Sequence, residues 1–298
     1  MFSIIIPLYN KADYIAETLK SVLNQTYCDY EVIVVNDSST DNSLEVASSF
    51  QDERIHIYTK ENEGVSAARN YGIMHAKYDY IAFLDADDIW ESDYLECQKK
   101  LIGTYPDAGI YSTAFYSLEK GKRKLRNVLI NEHIHFLVHD YFKESVMNGL
   151  SICWTSSLCL KKEVIKEIPM FRVGIKRGED LDLWLRIALN YDVAYLNLPK
   201  VFYRTGLSDS LTSDYSKNGE FPYYEWFNFT SESSYYRKYV ILVVYIHAKN
   251  AFIHHDYDTC LAELWSVKTI AWRFKWAERL LLPVSYTHLR AHETRGNL

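Results

Sequence analysis

Ile81-Ala82-Phe83-Leu84-Asp85-Ala86-Asp87-Asp88 is an apolar run that stops abruptly in carboxylates. A short apolar run bounded by polar residues reads as a buried strand, and the acids that follow read as a loop at its carboxyl end. Working outward, Phe2–Pro7, Glu31–Asn36, Arg54–Thr59 and Tyr80–Leu84 read as strands, separated by longer amphipathic segments. This alternation predicts βα units feeding a mostly parallel sheet. Ile15, Leu19, Val22 and Leu23 recur at i, i+4, i+7 and i+8, which turns one apolar helix face toward that sheet. A second helix is expected after Asp41, with Asp41 and Ser43 capping it, and a third from about Val65 to His75. Ligands of open α/β sheets lie beyond the carboxyl ends of the strands, so the loops there are where chemistry is expected.

The 298 residues are 48% hydrophobic, enough for a sizeable core, which excludes a disordered chain. Lys plus Arg number 33 against 39 Asp plus Glu, a net charge of −6 that disfavours a general nucleic-acid binder. The densest apolar stretch, around Val240 to Tyr245, falls short of the roughly 20 residues that cross a bilayer. Met1-Phe2-Ser3-Ile4-Ile5-Ile6-Pro7 lacks the features of a signal peptide, so a cytoplasmic location is expected. Cys28, Cys97, Cys153, Cys159 and Cys260 form no CxxC pair and read as reduced thiols. No GxSxG, P-loop or GxGxxG follows a strand, so hydrolase, NTPase and dinucleotide-enzyme readings lack their defining loops.

Side chains at i and i+2 of an extended segment share a face, so Asp85 and Asp87 can converge on one cation. Hard oxygen donors suit Mg²⁺ or Mn²⁺ completed by substrate phosphates. The alternative is a helix N-cap with solvated acids before Trp90. Three other loops are expected on the same rim: Pro7-Leu8-Tyr9-Asn10, Asn36-Asp37-Ser38-Ser39-Thr40-Asp41, and Glu63-Gly64-Val65-Ser66-Ala67-Ala68-Arg69-Asn70. As a set with Asp85-Ala86-Asp87, they resemble the nucleotide-sugar-binding half of the glycosyltransferase family 2 enzymes, over roughly residues 1–120. A second cluster, Gly178-Glu179-Asp180-Leu181-Asp182-Leu183-Trp184-Leu185-Arg186, resembles the acidic motif in the acceptor half of that family.

The resemblance implies an α/β, GT-A type fold with a Rossmann-like, mostly parallel sheet and a C-terminal helical region. It implies an inverting glycosyltransferase of the hexosyltransferase type, acting in bacterial cell-surface polysaccharide synthesis with a UDP-sugar as donor. Pro7, Tyr9 and Asn10 would border the base and ribose, Asp37 would accept from a uracil N–H, and Arg69 would reach the base or the diphosphate. Asp85 and Ala86 would meet the nucleotide-sugar, and Asp87, with Asp85, would hold a divalent metal, Mn²⁺ or Mg²⁺. Asp180 is the expected general base with Glu179 as runner-up, although acids at a helix start also favour its positive end by about 0.3–1 kcal/mol each. Trp184 is read first as packing, and Trp154-Thr155-Ser156-Ser157-Leu158 and Met170-Phe171-Arg172 fit the acceptor-side pattern. Gly206 stands where many relatives carry a metal-contacting histidine, which puts a third protein ligand in doubt. The acceptor would be a saccharide or lipid-linked saccharide, with peripheral contact at the inner face of the membrane. A non-catalytic nucleotide-binding module and a nucleotidyltransferase are the alternatives.

Later elements are expected as a helix at Ser92–Thr104, strands at Ala108–Leu118, Lys124–Ile130 and Thr155–Leu160, a helix opening near Glu179, and a strand around Val193–Leu198. Residues 1–120 are read as the donor half, 121–215 as the acceptor and base half, 216–284 as a helical region, and 285–298 as a non-native tail. In that helical region Tyr239, Leu242, Val243 and Ile246, then Leu261, Leu264, Trp265 and Trp272, recur at helical spacing. His135 and His139 are read as one helix face and His254-His255-Asp256 as a solvated turn. The basic run Lys120-Gly121-Lys122-Arg123-Lys124-Leu125-Arg126 is read as a solvated hairpin tip, the other reading being contact with an anionic membrane surface or a lipid diphosphate.

Overall fold

The computed structural model describes residues 1–129, 131–149, 151–175, 177–207, 223–253, 256, 259–260 and 262–263. The chain divides into two compact units, Met1–Asp214 with Asn218–Pro222, and Tyr215–Lys217 with Tyr223–Leu298. The first opens with the expected alternation: β1 (Phe2–Leu8), α1 (Ala12–Leu23), β2 (Tyr30–Asn36), α2 (Ser43–Ser48), β3 (Ile55–Thr59), α3 (Val65–His75) and β4 (Tyr80–Phe83). Then follow β5 (Ile89–Trp90), α4 (Tyr94–Thr104), β6 (Ile110–Glu119), β7 (Lys122–Arg126), β8 (His135–Val138), α5 (Tyr141–Asn148), a 3₁₀ turn at Thr155–Ser157, β9 (Leu158–Lys161), α6 (Lys162–Glu167), α7 (Glu179–Ala188) and β10 (Val193–Arg204).

One sheet holds these strands in the order β3-β2-β1-β4-β9-β6-β10-β5, with β7 beside β6 and β8 beside β10. The pairs among β1, β2, β3 and β4 are parallel, and β9 enters antiparallel between β4 and β6. The expected boundary near residue 120 falls in the β6–β7 hairpin, and strands from both sides of it share the sheet. β1 and β2 are buried on both faces, which explains their near-continuous apolar sequence. Ile4, Ile6, Leu8, Val32 and Val34 form one core with Ile15, Leu19 and Val22 of α1. β1 and β2 pair in register from Phe2↔Tyr30 to Leu8↔Asn36, so their following loops emerge side by side.

Several elements differ from expectation for local reasons. The β6–β7 turn needs only Lys120 and Gly121, at φ 48° and 77°, so β7 starts earlier than Lys124. Positive φ at both central residues is the two-residue turn that matches strand twist. Thr155–Ser157 form a 3₁₀ turn instead of the start of a strand. His135 lies in β8 and His139 pairs with Asp192 at 2.8 Å, so the two histidines share no helix face. β10 continues past Leu198 through Pro199, where the register with β6 shifts on either side of the proline.

In the second unit, α8 (Tyr223–Trp226) precedes α9 (Tyr236–Ile253), and the Tyr236 hydroxyl donates to the Trp226 carbonyl at 2.6 Å. Tyr239 and Val243 of the expected apolar series are buried, whereas Leu242 and Ile246 are half-buried. Leu261, Leu264, Trp265, Trp272, His254, His255 and residues 285–298 lie outside the described residues. Among the described residues, no helix is long and apolar enough to cross a membrane. All five cysteines are free thiols.

Helix α3 lies close on β1: a Cβ at Gly72 would stand 2.5 Å from Ile5 Cγ2, and the branched Ile5 side chain is fully buried. Gly72→Val therefore overpacks this contact and is expected to lower stability by about 1–3 kcal/mol, measured by denaturant unfolding. An unchanged midpoint would show that α3 can lift from the sheet without cost.

Candidate active site

The loops after β1 and β2 are tied to each other. Asn10, at φ 50°, accepts the Thr40 N–H on its Oδ1 at 2.8 Å, and its own N–H donates to Ser39 Oγ at 3.2 Å. Asp41 accepts the N–H of Ser43 at the start of α2 and of Ala12 at the start of α1, so the expected cap joins two helices. Burial pushes its carboxyl upward, but the hydrogen bonds from Ser43 and Ala12 prevail and hold it below its ordinary value. Tyr9 is 45% exposed and Pro7 half-buried, leaving the tyrosine ring open on the rim.

Asp37 is buried, and its carboxylate is already engaged before any ligand arrives. Oδ1 accepts from Lys60 Nζ at 2.9 Å and the Glu63 N–H at 3.1 Å, and Oδ2 from the Gly64 N–H at 2.8 Å. These bonds anchor the approach to α3, where Gly64 adopts φ 91°. A carboxylate offers about four acceptor sites, so Oδ2 keeps one for a further donor.

The acidic loop after β4 is held from beneath. Thr18 of α1 donates to the carbonyls of Ala86 and Asp88 at 2.9 and 2.8 Å. Ser156 Oγ accepts the Asp85 N–H at 3.1 Å and donates to Asp88 Oδ2, while the Arg204 N–H binds Asp88 Oδ1 at 3.0 Å. Asp88 is fully buried, and burial first, then Asp87 and Asp85, raises its carboxyl well above the ordinary value. Asp88 and Ser156 thus position the loop, a role the acidic motif alone does not distinguish from solvated acid.

Arg69 lies between the two acidic motifs. It is only 4% exposed, with Nη1 on Glu179 Oε1 at 2.9 Å and Nη2 on Asp85 Oδ1 at 2.8 Å, and its guanidinium lies 5.3 Å from the Phe171 ring. Both terminal nitrogens serve carboxylates, so Arg69 joins the two acidic motifs. The adjacent Asn70 clamps the Phe171 backbone, donating to its carbonyl at 2.7 Å and accepting its N–H at 3.0 Å. Trp184 packs in the core against Phe83 and Phe171, as expected of it first.

Asp180 is half-buried, accepting from Thr155 Oγ1 at 3.1 Å and from the Leu181 N–H at 2.7 Å. Burial raises its carboxyl, partly offset by Arg69. Burial together with Asp180 lifts Glu179 to about 7 despite Arg69. Burial of Tyr203 raises its phenol, and Asp88, Asp85, Asp87 and Asp180 add to the effect.

Asp87 Oδ2 meets Lys11 Nζ at 2.9 Å, a cation on the metal-ligand candidate that the motif did not reveal. Burial raises Asp87, Lys11 opposes this, and Asp85 reinforces it. Two hard carboxylates in surplus negative charge fit Mg²⁺ or Mn²⁺ with phosphate and water completing the shell. Gly206, at φ 74°, faces Glu119: a Cβ there would stand 3.5 Å from its side chain. Among the described residues no three His, Cys, Asp or Glu form a cation cage.

Arg69→Leu leaves Asp85 and Glu179 without their shared cation and is expected to cost about 3–5 kcal/mol in denaturant unfolding. Glu179 also sets a pH dependence. Its folded value of about 7 lies above the ordinary 4.5, so the folded state binds more protons in that window and stability falls as pH rises through it. Glu179→Gln should flatten this part of the curve, and an unchanged slope would remove Glu179 as its source.

The Glycosyl transferase family 2 model matches residues 3–168. A putative teichuronic acid biosynthesis glycosyltransferase, TuaG of Bacillus subtilis, is 32% identical over 198 residues, 65% of this chain and 75% of that protein. An uncharacterized glycosyltransferase of Rickettsia felis is 36% identical over 191 residues, 62% of this chain, and the chain spans only 30% of that protein's length. The crystal structure of S. aureus TarS 1-349 in complex with UDP-GlcNAc aligns with a TM-score of 0.63 and 18% identity, covering 93% of this chain and 77% of that one, a likeness of fold. With its GT-A type α/β sheet and a family match over more than half its length, the chain belongs to glycosyl transferase family 2.

Proposed function

We propose that the chain transfers a sugar, with inversion, from a UDP-sugar to an acceptor hydroxyl in the synthesis of a cell-surface polysaccharide. The observation that carries this reading is the Arg69 bridge, which brings the acidic loop after β4 and the acidic start of α7 to one centre. A pure nucleotide binder has no use for the second acidic motif. The named role of TuaG in teichuronic acid biosynthesis and the UDP and UDP-GlcNAc complexes of TarS support the polymer and the donor class.

Tyr9 presents an open ring to the base, and Asp37 Oδ2 has an acceptor site for a uracil N–H. Asp87 and Asp85 would hold a divalent cation, which supplies positive charge to the leaving diphosphate when bound. Asp180 takes the proton of the acceptor hydroxyl as its oxygen forms a bond to the anomeric carbon. The bond from that carbon to the diphosphate breaks on the opposite side, which inverts the centre. Thr155 and the Leu181 N–H hold the Asp180 carboxylate in place, and its raised affinity for protons suits a base. The donor pool is cytoplasmic on this reading, and a saccharide or lipid-linked acceptor meets the enzyme at the inner face of the membrane.

Thermal unfolding with UDP, GDP, CMP, TDP and NAD, each with and without Mn²⁺, tests the donor site. UDP at 100 times its dissociation constant should add about 2.7 kcal/mol, and only with the metal. Asp180→Asn should keep that shift and lose transfer by about 10²–10⁴-fold, whereas Asp87→Ala should lose the metal-dependent shift itself. Wild-type turnover in Asp180→Asn would overturn the base, and a shift with NAD alone would overturn the donor site.

A further inference from the structure

The basic hairpin is not used by the donor chemistry, and its register ties it to the site. Every residue of β7 is exposed. It pairs with β6 so that Lys122, Lys124 and Arg126 stand opposite Glu119, Ser117 and Phe115. Directly opposite residues share a face of the sheet, so these three cations lie on the face of Phe115 and Ser117. Side-chain contacts agree: Arg126 Nε donates to Ser117 Oγ at 3.3 Å, whereas Arg123, on the other face, lies over Phe202, which stacks on Tyr116.

The same face leads to the acids. Ser117 pairs with Tyr203 of β10, so Lys124, Ser117 and Tyr203 form one row across three strands. The row spans about 10 Å, two strand spacings. The residue after Tyr203, Arg204, donates its N–H to Asp88 Oδ1 at 3.0 Å, which ties this end of the row to the acidic loop. Trp154 packs on Phe115 and Tyr203 at 5.2 and 4.7 Å, and the next residue, Thr155, holds Asp180. Among the described residues, no carboxylate forms an ion pair with Lys122 or Lys124.

Resting on the transferase reading, we propose that the Lys122, Lys124 and Arg126 face of β7 binds anionic groups of the acceptor, at the outer end of the row that runs through Ser117 to Tyr203. The acceptor class is an anionic saccharide chain bearing phosphate or carboxylate. The acids at the centre repel such a chain, and cations on β7 hold its charges outward while an uncharged hydroxyl approaches Asp180.

Titration of the whole chain with inorganic polyphosphate, in chelator so that metal-held phosphate does not contribute, tests this. Wild type should bind polyphosphate with affinity that falls as salt rises, and should not bind neutral dextran. The double variant Lys122→Gln, Lys124→Gln should lose about three- to thirtyfold, the scale of two exposed charge contacts, and Arg123→Gln on the opposite face should lose nothing. Equal loss in Arg123→Gln, or no polyphosphate binding, would overturn the proposal. So would binding to phosphatidylcholine–phosphatidylglycerol vesicles without binding to polyphosphate, which would make β7 a membrane contact. The double variant should retain the UDP shift with Mn²⁺. Absence of that shift in wild type would remove the transferase reading on which this proposal rests, whereas its presence without polyphosphate binding removes the acceptor surface alone.

Discussion

A buried guanidinium shared by two carboxylates is the constraint on which the site depends. Arg69 comes from α3, Asp85 from the loop after β4, and Glu179 from the first residue of α7. Their sequence separations are large, so this contact fixes tertiary geometry that no local propensity supplies. Burial alone would weaken the hold of Arg69 on its proton, but Asp85 and Glu179 outweigh it and raise its affinity. The planar fork matters because two carboxylates must be served from different directions, which a lysine ammonium does less well.

Around this contact, hydroxyls do the fine positioning. Thr18, Thr155 and Ser156 each direct a hydrogen bond at the acidic loop or at Asp180. Asn70 fixes the Phe171 backbone beside Arg69, so consecutive residues of α3 secure the side chain and the main chain of the opposite wall. Small hydroxyls suit such work because they satisfy buried polar groups while adding little volume.

The parallel strands and α3 were legible because each carries a strong local signal. β1 and β2 are continuous apolar runs, and α3 begins after Gly64, whose positive φ marks the boundary. The acids Asp85, Asp87, Glu179 and Asp180 were legible as candidates because strand ends and helix starts concentrate chemistry. What was not legible depends on partners distant in sequence. β5 and β8 exist through pairing with β10, and β10 crosses Pro199 only because its register with β6 shifts there. The burial of Arg69 reverses the usual exposure of a helix arginine, and nothing in its neighbours Ala68 and Asn70 announces the two carboxylates it meets. Lys11 reads as an ordinary helix-start residue until Asp87 is found beside it.

The charge balance at the centre links these parts. Of Asp85, Asp87, Asp88, Glu179 and Asp180, Asp87 forms an ion pair with Lys11, and Asp85 and Glu179 share Arg69. Asp87, Asp88, Glu179 and Asp180 all hold protons more tightly than usual, with burial the largest cause in each. A nucleoside diphosphate is itself an anion, so on the proposed reading its entry beside these groups requires added positive charge. Lys11 already lies on Asp87, which makes that ion pair the contact a divalent cation must share or displace. Donor and metal are then thermodynamically linked, because each lowers the electrostatic cost of the other. On that reading the linkage needs no third protein ligand at Gly206.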